Sequence, residues 1–145
     1  MPKLRLYNHH PGAKKAPLPL WRRIAKAALP EAMAHATAPD APLLQVAEVE
    51  ISFITDEAIA AVHGDFMDDP TPTDVITFHH GEILISLDTA KRQGAEHGQP
   101  WERETALYVI HGLLHLAGWD DREPEERVRM HALQARILDE VWGEG

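Results

Sequence analysis

Apolar residues recur along this chain in two periods, and the change from one to the other marks its elements. Lys3-Leu-Arg-Leu-Tyr7 alternates polar and apolar, as in a half-buried strand. After a loop punctuated by Pro11, Pro17 and Pro19, the period becomes helical. Over Leu20–Leu29, Leu20, Trp21, Ile24 and Ala28 form one stripe, with Arg22, Arg23 and Lys26 opposite. Pro30 is expected to end or kink this helix, since it has no N–H and collides with the preceding turn. His35–Pro42 reads as loop. Leu43–Thr55 is the clearest strand, with Val49, Ile51 and Phe53 alternating with Glu48, Glu50 and Ser52. Thr55 or Asp56 can cap a short helix, Glu57–His63, that points Ile59 and Val62 inward.

The second half repeats the alternation of elements. An acidic, proline-bearing loop, Asp65–Pro72, precedes two short apolar strands, Asp74–Phe78 and Glu82–Ser86, joined by a tight turn at His79-His80-Gly81. Ser86 or Asp88 starts a helix to about Glu96. Gln99-Pro100-Trp101 opens the next, with Glu102 and Glu104 at the positive end of its dipole. Pro124 starts a final helix to about Trp142 that buries Met130, Leu133, Ile137 and Val141. The sum is an α/β (α+β) fold, a single domain over residues 1–145, in which a mixed, partly parallel sheet of about four strands carries about five helices.

Candidate chemistry concentrates in Tyr108-Val-Ile-His-Gly-Leu-Leu-His-Leu-Ala-Gly-Trp-Asp-Asp121. His111 and His115 stand one helical turn apart on one face. Gly118 stands where a helix stops, because glycine takes the left-handed conformation without steric cost. The chain can then return Asp121 beside the two rings. Two imidazoles and a carboxylate with an open fourth position make the donor set of catalytic zinc. A single histidine on an apolar helix is usually a satisfied core residue, but His-x-x-x-His-x-x-Gly-x-x-Asp approaches the metzincin ligand motif. Gly112 costs about 1 kcal/mol relative to alanine in a helix, so something approaches it closely, either a packed neighbour or a group in the site. Zincins carry their glutamate base at that position. Its replacement by Gly112 argues against a peptidase and leaves room above a metal for a bulkier group such as a phosphodiester. Trp119 and Asp120 can wall and support the site. His79 and His80 in the strand turn can bind phosphate or move a proton, although turn histidines are commonly idle.

These residues resemble a known signature. His111-Gly-Leu-Leu-His-Leu-Ala-Gly-Trp-Asp-Asp121 is similar to the His-Gly-x-Leu-His-Leu-x-Gly-Tyr-Asp-His motif of the YbeY family, bacterial endoribonucleases of ribosomal RNA maturation. Asp69-Pro-Thr-Pro-Thr-Asp-Val-Ile-Thr-Phe78 and Gly81-Glu-Ile-Leu-Ile-Ser86 resemble that family's two strand blocks, in the same order and spacing. The resemblance implies a metal-dependent endoribonuclease with one divalent ion, zinc, at His111, His115 and Asp121, and no catalytic group beyond the metal-activated water. Asp74 and His79 would be assistants, and Thr73 and Gly112 substrate contacts. Turn and capping chemistry is the alternative role for Thr73 and Asp74. The resemblance further implies single-stranded ribosomal RNA as substrate, the ribosome or its small subunit as partner, and a role in ribosome quality control. Two positions depart from the family. Asp121 stands where the family has a third histidine, and an anionic donor weakens a Lewis acid and shifts preference toward oxygen-favouring ions. Met67 stands where many members carry an arginine.

Composition adjusts this picture. The chain of 145 residues has no cysteine, so thiolates cannot hold a metal, and a reducing, cytoplasmic setting is compatible. No apolar run reaches the ~20 residues of a membrane span, and the basic N-terminus lacks the apolar core of a signal peptide. The net charge of −9 is awkward for a nucleic-acid binder, yet residues 1–26 carry seven Lys/Arg and no acid, while the remaining 119 carry net −16. Such asymmetry allows a local phosphate-binding patch, although a solvated basic strand and helix would look the same. Two other readings stay open on the sequence: a metallohydrolase of another substrate such as a peptide, and a non-catalytic ribosome-associated factor with a structural metal.

Overall fold

Val49, Ile51 and Phe53 lie wholly out of water, and Ser52 and Ile54 beside them are buried too, so the strand they form is covered on both faces. The computed structural model describes residues 1–67, 71 and 73–143, Met67 by its backbone only. Four strands, β1 (Lys3–Asn8), β2 (Glu48–Ile54), β3 (Val75–Phe78) and β4 (Glu82–Ser86), form one mixed sheet in the order β1-β2-β4-β3. β1 and β4 flank β2 in parallel, and β3 pairs antiparallel to β4 at the edge. Side chains alternate between two cores. Ile83 and Ile85 join the larger one, while Leu84 packs with Ile54, Ile59 and Ile76 on the opposite face.

Six helices surround the sheet among the described residues: α1 (Leu18–Ala34), α2 (Pro42–Gln45), α3 (Asp56–Met67), α4 (Leu87–Glu96), α5 (Trp101–Leu116) and α6 (Pro124–Trp142). The expected α+β class and mixed sheet are found, and three local expectations are corrected. α1 runs through Pro30 to Ala34. Pro30 and Lys26, whose carbonyl loses its helical partner, both lie on exposed positions, so water can satisfy the freed group, while the next turn buries Ala32 against the core. Leu43–Ala47, expected as strand, are instead α2 and a linker. Pro42 presets the first helical turn, and burial of Leu43 fixes it in place. α3 continues past His63 to Met67. The expected caps are present, with Ala58 N donating to Thr55 Oγ1 at 3.0 Å and Thr89 N to Ser86 Oγ at 3.1 Å.

α5 is the axis of the larger core. It packs against α1, α4, α6, β3 and β4, and Thr105, Val109, Ile110, Leu113, Leu114 and Leu116 are fully buried. A helix apolar on nearly every side belongs inside a protein. Gly112 permits the close approach to the sheet. A Cβ built there would lie 2.8 Å from Ile83 Cγ2 and 3.0 Å from Ile83 Cδ1. The space beside this glycine is therefore taken by β4. Gly112 is not among the residues that line the cleft described below, and close packing accounts for the glycine.

A Gly112→Ala variant separates two opposing effects. Helix propensity alone favours alanine by about 1 kcal/mol, but overpacking against a β-branched neighbour costs about 1–3 kcal/mol. The variant is expected to be less stable than the parent in urea unfolding. Equal or greater stability would show that the sheet yields at Ile83.

Candidate metal centre

The last turn of α5 closes in the six-residue pattern that a left-handed glycine allows. Gly118 has φ +104°; its N–H donates to His115 O at 3.0 Å, and Trp119 N–H donates to Leu114 O at 3.0 Å. A side chain at 118 would also strike Thr37 Oγ1, in the segment that bonds back to Ala117 O through Thr37 N at 2.9 Å. This closure turns the chain and returns Asp121 over the helix end. Asp121 Oδ2 lies 3.5 Å from His111 Nε2 and 3.8 Å from His115 Nε2. The two Nε2 atoms are 3.0 Å apart, with the rings nearly perpendicular at 80°.

The other ring nitrogens decide what these three atoms can do. His115 Nδ1 lies 2.9 Å from the Trp119 carbonyl, which only accepts, so Nδ1 carries the proton and Nε2 a lone pair. His111 Nδ1 lies 2.8 Å from Gln134 Oε1, which likewise accepts. Two lone pairs and a carboxylate oxygen thus converge. Tetrahedral zinc with bonds of about 2.0–2.1 Å needs donors about 3.3–3.4 Å apart. The separations of 3.0, 3.5 and 3.8 Å bracket that value, so the donor set fits a divalent ion. Burial holds His115 below its ordinary pKa of 6.5, with His111 adding to the effect, while Asp121, the Trp119 carbonyl and Asp120 pull the other way. Its neutral form, the one that binds metal, is therefore favoured.

The three donors open into a cleft of about 660 Å³. Thr73, Asp74 and His79 line the same cleft along β3 and its ends. Asp74 Oδ1 accepts from Val75 N at 2.7 Å, so this carboxylate also shapes the entry to β3, which starts one residue later than expected. Trp119 forms part of the wall, its indole Nε1 donating to His35 O at 2.9 Å. Asp120 is held below the usual carboxylate range by hydrogen bonds from Arg122. His63, which the sequence leaves open between the surface and the site, lines the cleft as well, and so does Arg122, of which the sequence gives no sign. The side chain of Met67, together with Asp68–Pro70 and Pro72, lies outside the described residues. Two supports have no local signature in the sequence. Gln134 meets His111, and Glu126 Oε1 accepts from Asp120 N at 3.0 Å. The one trace of Gln134 is its phase: four residues after Met130 and three before Ile137, it is a polar side chain on the inward stripe of α6.

Comparison with known proteins gives a consistent result. A family model described as "Endoribonuclease YbeY" matches residues 13–142. Relatives bearing that name include one from Myxococcus xanthus, 38% identical over 106 residues, covering 64% of this chain and 36% of that protein. Another, from Heliobacterium modesticaldum, is 34% identical over 116 residues, covering 66% of this chain and 70% of its own. The chain thus spans little over a third of the Myxococcus relative's length. A solution structure from Thermotoga maritima matches with TM-score 0.61 at 27% identity, covering 97% of this chain and 90% of that one.

The burial of His115 sets a pH dependence. Above pH 6.5 the ring is neutral in folded and unfolded chains alike; below it the unfolded chain binds a proton that the folded site resists. Stability of the metal-free protein is therefore expected to fall as pH drops from 6.5 through the lower folded value. Melting with chelator present, across that range, should show a shallower fall in His115→Gln. An identical slope in both proteins would remove His115 as a cause.

Proposed function

The chain belongs to the YbeY family, and from that membership we propose that it is a metal-dependent endoribonuclease that cuts single-stranded RNA. The observation carrying this reading is the convergence of His111 Nε2, His115 Nε2 and Asp121 Oδ2, with both opposite ring nitrogens already committed. These residues would hold one divalent ion, zinc by its donor set. Such an ion polarises a phosphoryl oxygen and activates water. Around it the chain's own groups act on the substrate. Thr73 and Asp74 on the facing wall orient the strand, and the exposed His79 is suited to moving a proton at the leaving oxygen. A splayed single strand fits this open cleft better than a duplex, whose backbone is held away from a recessed centre.

An acidic chain needs a local place for polyanion. A groove between β1 and α1 is lined by Lys3, Arg5, Arg22 and Lys26. Arg5 is shared with Glu48 at 2.9 Å. That groove supports contact with RNA phosphates away from the cleavage point. Ribosomal RNA of the small subunit as substrate, the ribosome as partner, a part in ribosome quality control and a cytoplasmic setting belong to the same proposal and rest on family membership. Among the described residues, no helix is long and apolar enough to cross a membrane.

Metal analysis and cleavage of a single-stranded oligonucleotide test the reading. His115→Ala should lose bound metal and at least about 100-fold of the activity, and equal activity in both proteins would refute a metal mechanism. A Lys3→Glu/Arg22→Glu/Lys26→Glu variant should bind RNA with a log–log salt slope shallower by about 2, at about 0.7 for each single-strand phosphate that is no longer neutralised. An unchanged slope would move the phosphate path elsewhere.

A further inference from the structure

Gln134 is only 8% exposed, on the stripe of α6 that also buries Met130, Ile137 and Val141. A buried amide is costly unless its polar atoms find partners. Its Oε1 finds His111 Nδ1 at 2.8 Å. We infer that Gln134 is a positioning residue of the metal centre. It keeps the His111 proton on Nδ1 and the lone pair on Nε2, and so sets the affinity for a divalent cation. This inference rests on the metal-centre reading above and goes beyond it.

The two histidines are not held alike. The partner of His115 is a backbone carbonyl within the closure of α5, which can only accept. The partner of His111 is a side-chain amide, whose two ends have opposite character. With Oε1 toward the ring, His111 Nε2 is free to bind a cation. With the NH2 end toward the ring, Nδ1 becomes the acceptor and the proton moves to Nε2. Across the 3.0 Å gap that proton would bond to His115 Nε2 and close the centre as a self-satisfied pair. One buried amide therefore chooses between an open and a closed centre. Its neutrality also matters. Asp121 already supplies one anion, and an amide orients His111 without adding a second. The same helix steadies the other arm two turns earlier, where Glu126 accepts from Asp120 N beside Asp121.

The test uses the full chain with Gln134→Leu and Gln134→Glu. Two quantities are read: zinc affinity, by competition with a chromophoric chelator, and the His111 tautomer, by ring 15N shifts in the metal-free protein. Wild type should show the proton on Nδ1. Gln134→Leu, which gains apolar burial but takes the acceptor from His111 Nδ1, should fold yet bind zinc roughly 10- to 100-fold more weakly. Gln134→Glu restores an acceptor and should return affinity to within about threefold of wild type. A role in packing alone predicts the reverse order, with leucine better tolerated than glutamate. Zinc binding by Gln134→Leu within about threefold of wild type would overturn the inference and leave the metal reading intact. A wild-type His111 protonated on Nε2 would overturn it too, and that spectrum decides the matter even if the leucine variant fails to fold. A wild type that binds no zinc would overturn both.

Discussion

Two imidazole nitrogens stand 3.0 Å apart with a carboxylate oxygen 3.5 and 3.8 Å away, and with both lone pairs turned inward these three donors repel one another unless a cation lies among them. The fold is built to impose that convergence. α5 is buried along nearly its whole length, so its rotation about its own axis is fixed by the sheet and by α1, α4 and α6. With the rotation fixed, a spacing of four residues is enough to bring both rings to one place. The helix must then stop at once, and the left-handed Gly118 stops it, so that Asp121 returns within reach. Each step is a local rule of backbone chemistry; the convergence is their sum.

The same geometry separates this centre from the metalloproteases whose ligand spacing it shares. In those enzymes the residue after the first histidine supplies the base. Here that position is Gly112, and a side chain placed on it would enter the sheet at Ile83. The glycine is explained by helix–sheet packing. Close packing is one of the two explanations its sequence context allows; room for a substrate is the other.

Much of the fold is legible in the chain because the strands and helices follow the periods that burial demands. β2 stands out by its strict alternation of apolar and polar residues, and α5 by its long apolar run. Sequence and structure part where tertiary contacts outweigh local signals. Pro30 has the mark of a stop, yet its exposed position lets α1 continue. Leu43 has the mark of a strand start, yet the turn that Pro42 begins buries it instead. At the centre, the three donors can be placed together from spacing and a turn, since those depend on residues close in sequence. Gln134 cannot, because its partner lies on another element, and only the packing of α6 against α5 brings the two near. A polar residue on an otherwise inward stripe is the only trace that Gln134 leaves in the sequence.

Asp121 would be the third donor, a carboxylate beside two imidazoles. It is also the donor farthest from the others, at 3.5 and 3.8 Å. Anomalous scattering from crystals grown with zinc addresses it directly. A single peak bonded to His111 Nε2, His115 Nε2 and an Asp121 oxygen is the expected result; Asp121 turned to solvent, with no peak between the rings, would contradict it.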